Sequence, residues 1–157
     1  MPRTISGEYR GARRILTGSH DPSGLNLEFL LDGSQVKIQF AAPGNVKQRR
    51  VVAPSFFASI CDDAAHATLA AFRKRVGVSR ESRLRFLKPL YEGEAFKLTG
   101  QVSKENGDLF SLTCSIINAR NQPVFEGATD IFALTADTLR RMTKDGMIPV
   151  ELRRYLP

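Results

Sequence analysis

VAPSFFASICDDAAHATLAAF, residues 52–72, sets two adjacent carboxylates, Asp62 and Asp63, inside one of the longest apolar helical patterns of the chain, with His66 one turn beyond Asp62. A carboxylate is costly to bury unless it is paired, hydrogen-bonded or used. Two chemistries fit Asp62. It can be a solvated partner of His66 at i,i+4, or a base placed where the helix meets a neighbouring chain, ready to orient water. The same alternatives hold for Asp63, with the structural reading weighted more heavily. His66 reads as an orienting or surface partner rather than a catalyst. No Ser–His–Asp or metal-ligand spacing is visible in the sequence, which has only two histidines, His20 and His66.

The element that must position these groups is a helix from Pro54 or Ser55 to Arg73. Pro54 suits a first helical turn, where its missing donor would be unpaired in any case. At about 100° per residue, Phe56, Phe57, Ile60, Ala64, Ala67 and Ala71 share one broad face suited to lying on a sheet, with Asp63 at its edge. Asp62 points nearly opposite, beside Ala58, Ala65 and Leu69 and close to Ser59 and His66. That far side is small and semi-apolar, which predicts that it is covered, by a second subunit.

Around the helix the chain reads as strands. Residues 25–31 (LNLEFLL) and 35–41 (QVKIQFA) alternate on either side of Asp32-Gly33, a hairpin pattern. Residues 41–50 (AAPGNVKQRR) read as a loop broken by Pro43-Gly44. Four further strands are predicted at 80–87, 95–103, 109–118 and 124–134, separated by Lys88-Pro89, Gly93, Asn106-Gly107-Asp108 and Asn121-Gln122-Pro123. This order, two strands, a helix and four strands without repeat or linker, predicts a single α+β domain in which an antiparallel sheet wraps around one long helix. The tail from Thr135 to Pro157 reads as helical and amphipathic, with Leu139, Met142 and Met147 along it, packed on the surface or on a second subunit.

At 157 residues, 42% hydrophobic and 25% charged, the chain has the composition of a globular domain with a real core. Its first residues, MPRTISGEYRGARR, lack the apolar run of a signal peptide, and no stretch approaches the roughly 18 apolar residues that span a bilayer. Cys61 and Cys114 have no metal-like spacing and read as reduced, buried thiols, consistent with a cytoplasmic protein. The net charge of +7 raises nucleic acid as a partner, but the basic residues are dispersed in small clusters without a recognition motif. A generic basic surface, or a site for a polyanionic small molecule, is the expectation.

Four phrases, in order, resemble the hotdog-fold acyl-CoA thioesterase superfamily, in its PaaI-like, 4-hydroxybenzoyl-CoA thioesterase-like branch. Residues 20–29 (HDPSGLNLEF) resemble the family's Asn-Pro-x-Gly-Leu run into the first strand. The helix resembles its His-Gly-Gly, six variable residues and Asp–acidic–Ala. Ser79 through Pro89, ending in Arg85-Phe86-Leu87-Lys88-Pro89, resembles its Thr…Phe-Leu-Arg-Pro strand, and Glu92-Gly93-Glu94 the turn after it. The resemblance covers residues 20–134 and implies a hotdog fold whose acyl-CoA cleft lies between two subunits. It puts the catalytic acid on Asp62, as general base or nucleophile towards a thioester carbonyl, with a backbone N–H at the helix start polarising that carbonyl.

The chain departs from the pattern at His-Gly-Gly, where it has Ala53, Pro54 and Ser55. Proline has no N–H to give, so the polarising amide would come from Ser55 or Phe56. The resemblance further implies an acyl chain near Phe56, Phe57 and Ile60, CoA phosphates over Arg83, Arg85 and Lys88, no bound cofactor or metal besides the CoA thioester itself, and a homodimer or dimer of dimers. Three functions follow: a thioesterase acting on a small or medium acyl-CoA, a non-catalytic acyl-CoA or acyl-lipid binding protein, and a dehydratase of the same fold. The last is weakest, because it normally needs a His/Asp or His/Glu pair and only His20 and His66 exist to supply one.

Overall fold

Twenty residues without an interior glycine or proline form α1 (Pro54–Arg73). It starts at Ala53, in extended conformation with no side-chain cap, with Pro54 as its first residue, and stops at Lys74 in the left-handed region (φ 53°). The computed structural model describes residues 3–4, 30–41, 47–48, 50–148 and 150–157. The strands are β1 (Arg3–Thr4), β2 (Leu30–Asp32), β3 (Gln35–Ala41), β4 (Lys47–Gln48) and β5 (Val51–Val52) before the helix. After it come β6 (Gly77–Phe86), β7 (Ala95–Asn106), β8 (Leu109–Asn118) and β9 (Pro123–Ala133), then α2 (Ala136–Met142) and α3 (Val150–Arg153).

Seven strands form one antiparallel sheet in the order β1-β2-β3-β7-β8-β9-β6, and β4 with β5 makes a separate small ladder. The sheet curls around α1, as the α+β pattern predicts. Along β8, Phe110, Leu112, Cys114 and Ile116 are buried against the helix while the residues between them turn away. Phe56, Phe57 and Ile60 meet Phe96, Ile116 and Phe125 in the larger core. Phe57 stacks on Phe125 with centroids 5.4 Å apart. Ala65 and Leu69, on the helix flank expected to face another subunit, pack instead on Phe110, Leu112, Ile131 and Ala133 of the same chain. The curvature of the sheet covers this flank; helical periodicity alone carried no information about curvature.

Two glycines allow the close approaches that seat the site. A Cβ at Gly100 would lie 2.8 Å from Thr68 Oγ1, so β7 touches α1 where Ala64 and Thr68 pass over it. A Cβ at Gly77 would lie 2.5 Å from the Phe132 carbonyl oxygen, so the start of β6 closes onto β9 only without a side chain.

The helix agrees with its predicted bounds, and the β2–β3 hairpin turns at Gly33 (φ 59°). The first part of the predicted 25–31 strand, and residues 20–29 of the resemblance, lie outside the described residues. Three boundaries differ. Lys47–Gln48 pairs with Val51–Val52, and Arg50 has φ 68°, where residues 41–50 were expected to be loop throughout. β6 begins at Gly77 rather than Arg80, and β7 runs on to Asn106. Among the described residues the tail holds two short helices, α2 and α3. Leu139 and Tyr155 pack on Ala70, Val76 and Leu134, whereas Met142 and Met147 are exposed.

Candidate functional site

Asp62 leaves α1 on the side of β6, the strand at the end of the sheet order. There it meets a residue that sequence spacing did not pair with it. The Ser79 hydroxyl donates to Asp62 Oδ1 at 2.5 Å, and Ser79 Oγ lies 2.9 Å from His66 Nε2. His66 Nε2 is 3.7 Å from Asp62 Oδ1. The helix supplies two members at i,i+4 and the strand supplies the third. Asp62 keeps 38% of its side chain exposed, while His66 keeps 7%. A half-open carboxylate held by a hydroxyl, with an imidazole closing the other side, can take a proton from a water molecule or reach an incoming carbonyl. Asp63, by contrast, is buried.

The strand brings Ser79 to this position through a bulge. Ser79 pairs with Ile131 and Glu81 with Asp130, the next residue back along β9, leaving Arg80 as an extra residue. Beyond it, Ser82 bonds the hydroxyl of buried Thr129, and Leu84 and Phe86 turn towards the core. The available signal was Ser79 itself, which stands where the resembling strand phrase has threonine.

At the helix start, the Phe56 N–H donates to the Ala53 carbonyl at 3.0 Å. Pro54 has no N–H, and Ser55 is exposed. Of the two amides expected to polarise a carbonyl, that of Phe56 is therefore engaged within the first turn. Ser55 is separated from Asp62 by about 10 Å along the helix axis at 1.5 Å per residue.

The residues expected to hold an acyl chain are core. Phe56 and Phe57 are 3% exposed and Ile60 is 0% exposed, all against the chain's own sheet. They sit behind the helix rather than along an open groove. Arg83 and Arg85 alternate with Ser82, Leu84 and Phe86 and so lie on the opposite face of the sheet from Ser79. Each bonds an acid of β9: Arg83 with Asp130 at 3.2 Å and Arg85 with Glu126 at 3.3 Å. With Gln35, Gln101, Thr113 and Ser115 they line a groove of 410 Å³ on that face. Lys88 is exposed and outside this groove. Among the described residues no three His, Cys, Asp or Glu side chains are grouped to hold a metal ion. None of their helices is long and apolar enough to cross a membrane.

Behind Asp62, Cys61 turns into the core against Cys114. Both are free thiols. Burial raises the Cys61 thiol well above its ordinary value, and its hydrogen bond with Cys114 adds to the shift.

Residues 51–124 match the sequence profile of the thioesterase superfamily. No curated protein sequence matches the chain. Solved structures share its architecture at low identity. Zebrafish thioesterase superfamily member 2 is 16% identical, over 81% of this chain and 97% of that one, with a TM-score of 0.68. The E. coli PaaI protein of the phenylacetic acid degradation operon is 14% identical, over 70% and 80%, with a TM-score of 0.64. A Streptococcus mutans protein solved with acetyl CoA bound is 13% identical, over 69% and 89%, also with a TM-score of 0.64. The chain therefore has the hotdog fold of these proteins, and its residues 51–124 are similar in sequence to the thioesterase superfamily.

Proposed function

We propose that this chain hydrolyses a small or medium acyl-CoA thioester, with Asp62 as the general base. The observation that carries the reading is the half-exposed Asp62 carboxylate held by the Ser79 hydroxyl. A water molecule on Asp62 gives up a proton as its oxygen forms a bond to the thioester carbon. The carbon–sulfur bond then breaks, and the proton passes to the departing CoA thiolate, leaving a carboxylic acid and free CoA. The oxyanion needs a donor, and the Ser55 amide is the candidate within the chain.

The active unit in this reading is a homodimer or a dimer of dimers. β6 ends the sheet, ten residues long, with its own Val78 at 41% exposure. A long outer strand of this kind is a template for a second copy. Pairing there would bring a partner chain beside Ser79 and Asp62 and enclose the thioester. A CoA whose thioester sits at Asp62 reaches Arg83 and Arg85 only by passing this strand, so the seam would also be the path of the pantetheine arm. Reduced Cys61 and Cys114 fit a cytoplasmic setting. No resident cofactor enters the proposal.

A second reading has its own support. Pro54 and the engaged Phe56 amide leave the carbonyl end poor in donors, which favours a protein that binds an acyl-CoA or acyl-lipid without turning it over. A panel of acyl-CoA substrates with thiol detection, alongside calorimetric binding and mass measurement in solution, separates the two. Thiol release from a dimer or tetramer supports hydrolysis. Binding without release supports the carrier, and neither binding nor release from any acyl-CoA defeats both.

A further inference from the structure

We infer that His66 is a positioning residue. It acts as an Nε2–H donor that fixes the Ser79 hydroxyl so that its single proton points at Asp62. The kinetic consequence rests on the hydrolase reading above; the hydrogen-bond assignment does not.

The direction of the chain follows from the inventory of donors. A serine hydroxyl has one proton and two lone pairs, and an ionised carboxylate only accepts. Across the 2.5 Å contact, Ser79 therefore donates to Asp62. Its proton is then spent, and the 2.9 Å contact with His66 requires the ring nitrogen to donate. A neutral imidazole carries its proton on either nitrogen. With the proton on Nδ1, Nε2 becomes an acceptor and draws the serine proton away from the carboxylate. With the proton on Nε2, or on both nitrogens, the relay runs from His66 through Ser79 to Asp62.

A hydroxyl rotates about its C–O bond, and one acceptor alone leaves it other orientations in a half-open site. A donor on one side and a carboxylate on the other leave it one. The ring is held in place, since its side chain is 7% exposed and 3.7 Å from Asp62 Oδ1. The bulge at Arg80 brings Ser79 to meet it. His66 thus fixes the carboxylate through Ser79, and a fixed base is what productive attack geometry needs. The competing account is a buried histidine satisfied by a serine, with no influence on Asp62.

Nitrogen-15 NMR of the full chain reads the tautomer directly, and His66→Gln identifies the resonance, because His20 is the only other histidine. The proposal expects a proton on His66 Nε2, as the neutral tautomer or the imidazolium, wherever the fold is intact. A neutral Nδ1–H tautomer overturns it. The kinetic arm uses His66→Gln, which keeps an N–H donor, and His66→Leu, which keeps bulk without one. Loss of one such hydrogen bond lowers kcat about 10-fold in the leucine variant with KM unchanged, while glutamine stays within about 3-fold of wild type. Equal activity in the two variants, or equal impairment, overturns the proposal. Should leucine prevent folding, glutamine and the tautomer decide. Should the wild type release no thiol from any substrate, the hydrolase reading fails and the tautomer alone decides the role of His66.

Discussion

At Asp62, side chains from a helix and a strand converge within 3.7 Å. Two turns earlier on the same helix, Pro54 offers no N–H, Ala53 offers no cap, and the first turn has no acidic residue. The acid end of the candidate site is built from side chains, each of which has a partner. The carbonyl end depends on backbone donors, and one proline removes the donor that the superfamily pattern places there. In the proposed hydrolase reading, the base is held by side chains while oxyanion stabilisation depends on one position.

The contrast is sharpened most by restoring the missing donor. Pro54→Ala keeps helical φ and adds an N–H at the first helical position. If oxyanion stabilisation limits turnover, kcat rises by about 100-fold or more, the usual worth of one such donor. Steady-state thiol release measures it, and an unchanged kcat would place the oxyanion elsewhere. At the acid end, Ser79→Ala removes a hydrogen bond to a charged group, worth about 1.5–3 kcal/mol. The expected loss in kcat is about 10- to 100-fold. Retained activity would mean that Asp62 needs no holding.

A smaller effect comes through the seat of the helix. The Thr68 hydroxyl donates to the Ala64 carbonyl at 2.6 Å and is fully buried, so it cannot swing away from a methyl group added at Gly100. Gly100→Ala should lift α1 and cost about 1–3 kcal/mol, read as a lower Tm together with reduced turnover. A variant as stable and active as wild type would show that this contact does not set the position of Asp62.

The smallest effect is on pH dependence. The Cys61 thiol is raised in the folded chain by burial and by Cys114. Below the ordinary thiol range, about 8.5, both states are protonated and this group's stabilisation is fully present. Above it, the unfolded chain releases the proton first, so stability falls as pH rises towards the folded value. Denaturant midpoints should decline on the alkaline side in wild type and decline less in Cys61→Ala. Parallel curves would contradict the assignment.

Much of this was legible in the sequence. The helix needed only its 3.6-residue periodicity and Pro54, and the strands after it needed alternation and turn residues. Asp62 was singled out by its placement within an apolar helix. Ser79 was not paired with it, because the contact joins elements 17 residues apart and depends on a bulge at Arg80 that alternation does not reveal. The roles proposed for Phe56, Phe57 and Ile60 rested on a resemblance, while their own helical face already pointed to the core. Arg83 and Arg85 were named, through the resemblance, as a seat for CoA phosphates, but which sheet face they share depended on the register of β6 after the bulge.

The most direct test replaces Asp62 by asparagine, which leaves a carbonyl oxygen for Ser79 and removes the base. Thiol release from the best acyl-CoA of the panel is compared for the two proteins at equal folded concentration. A loss of about 100- to 10,000-fold in kcat with binding retained is expected, the range for removal of a general base. Wild-type turnover by Asp62→Asn would contradict the account.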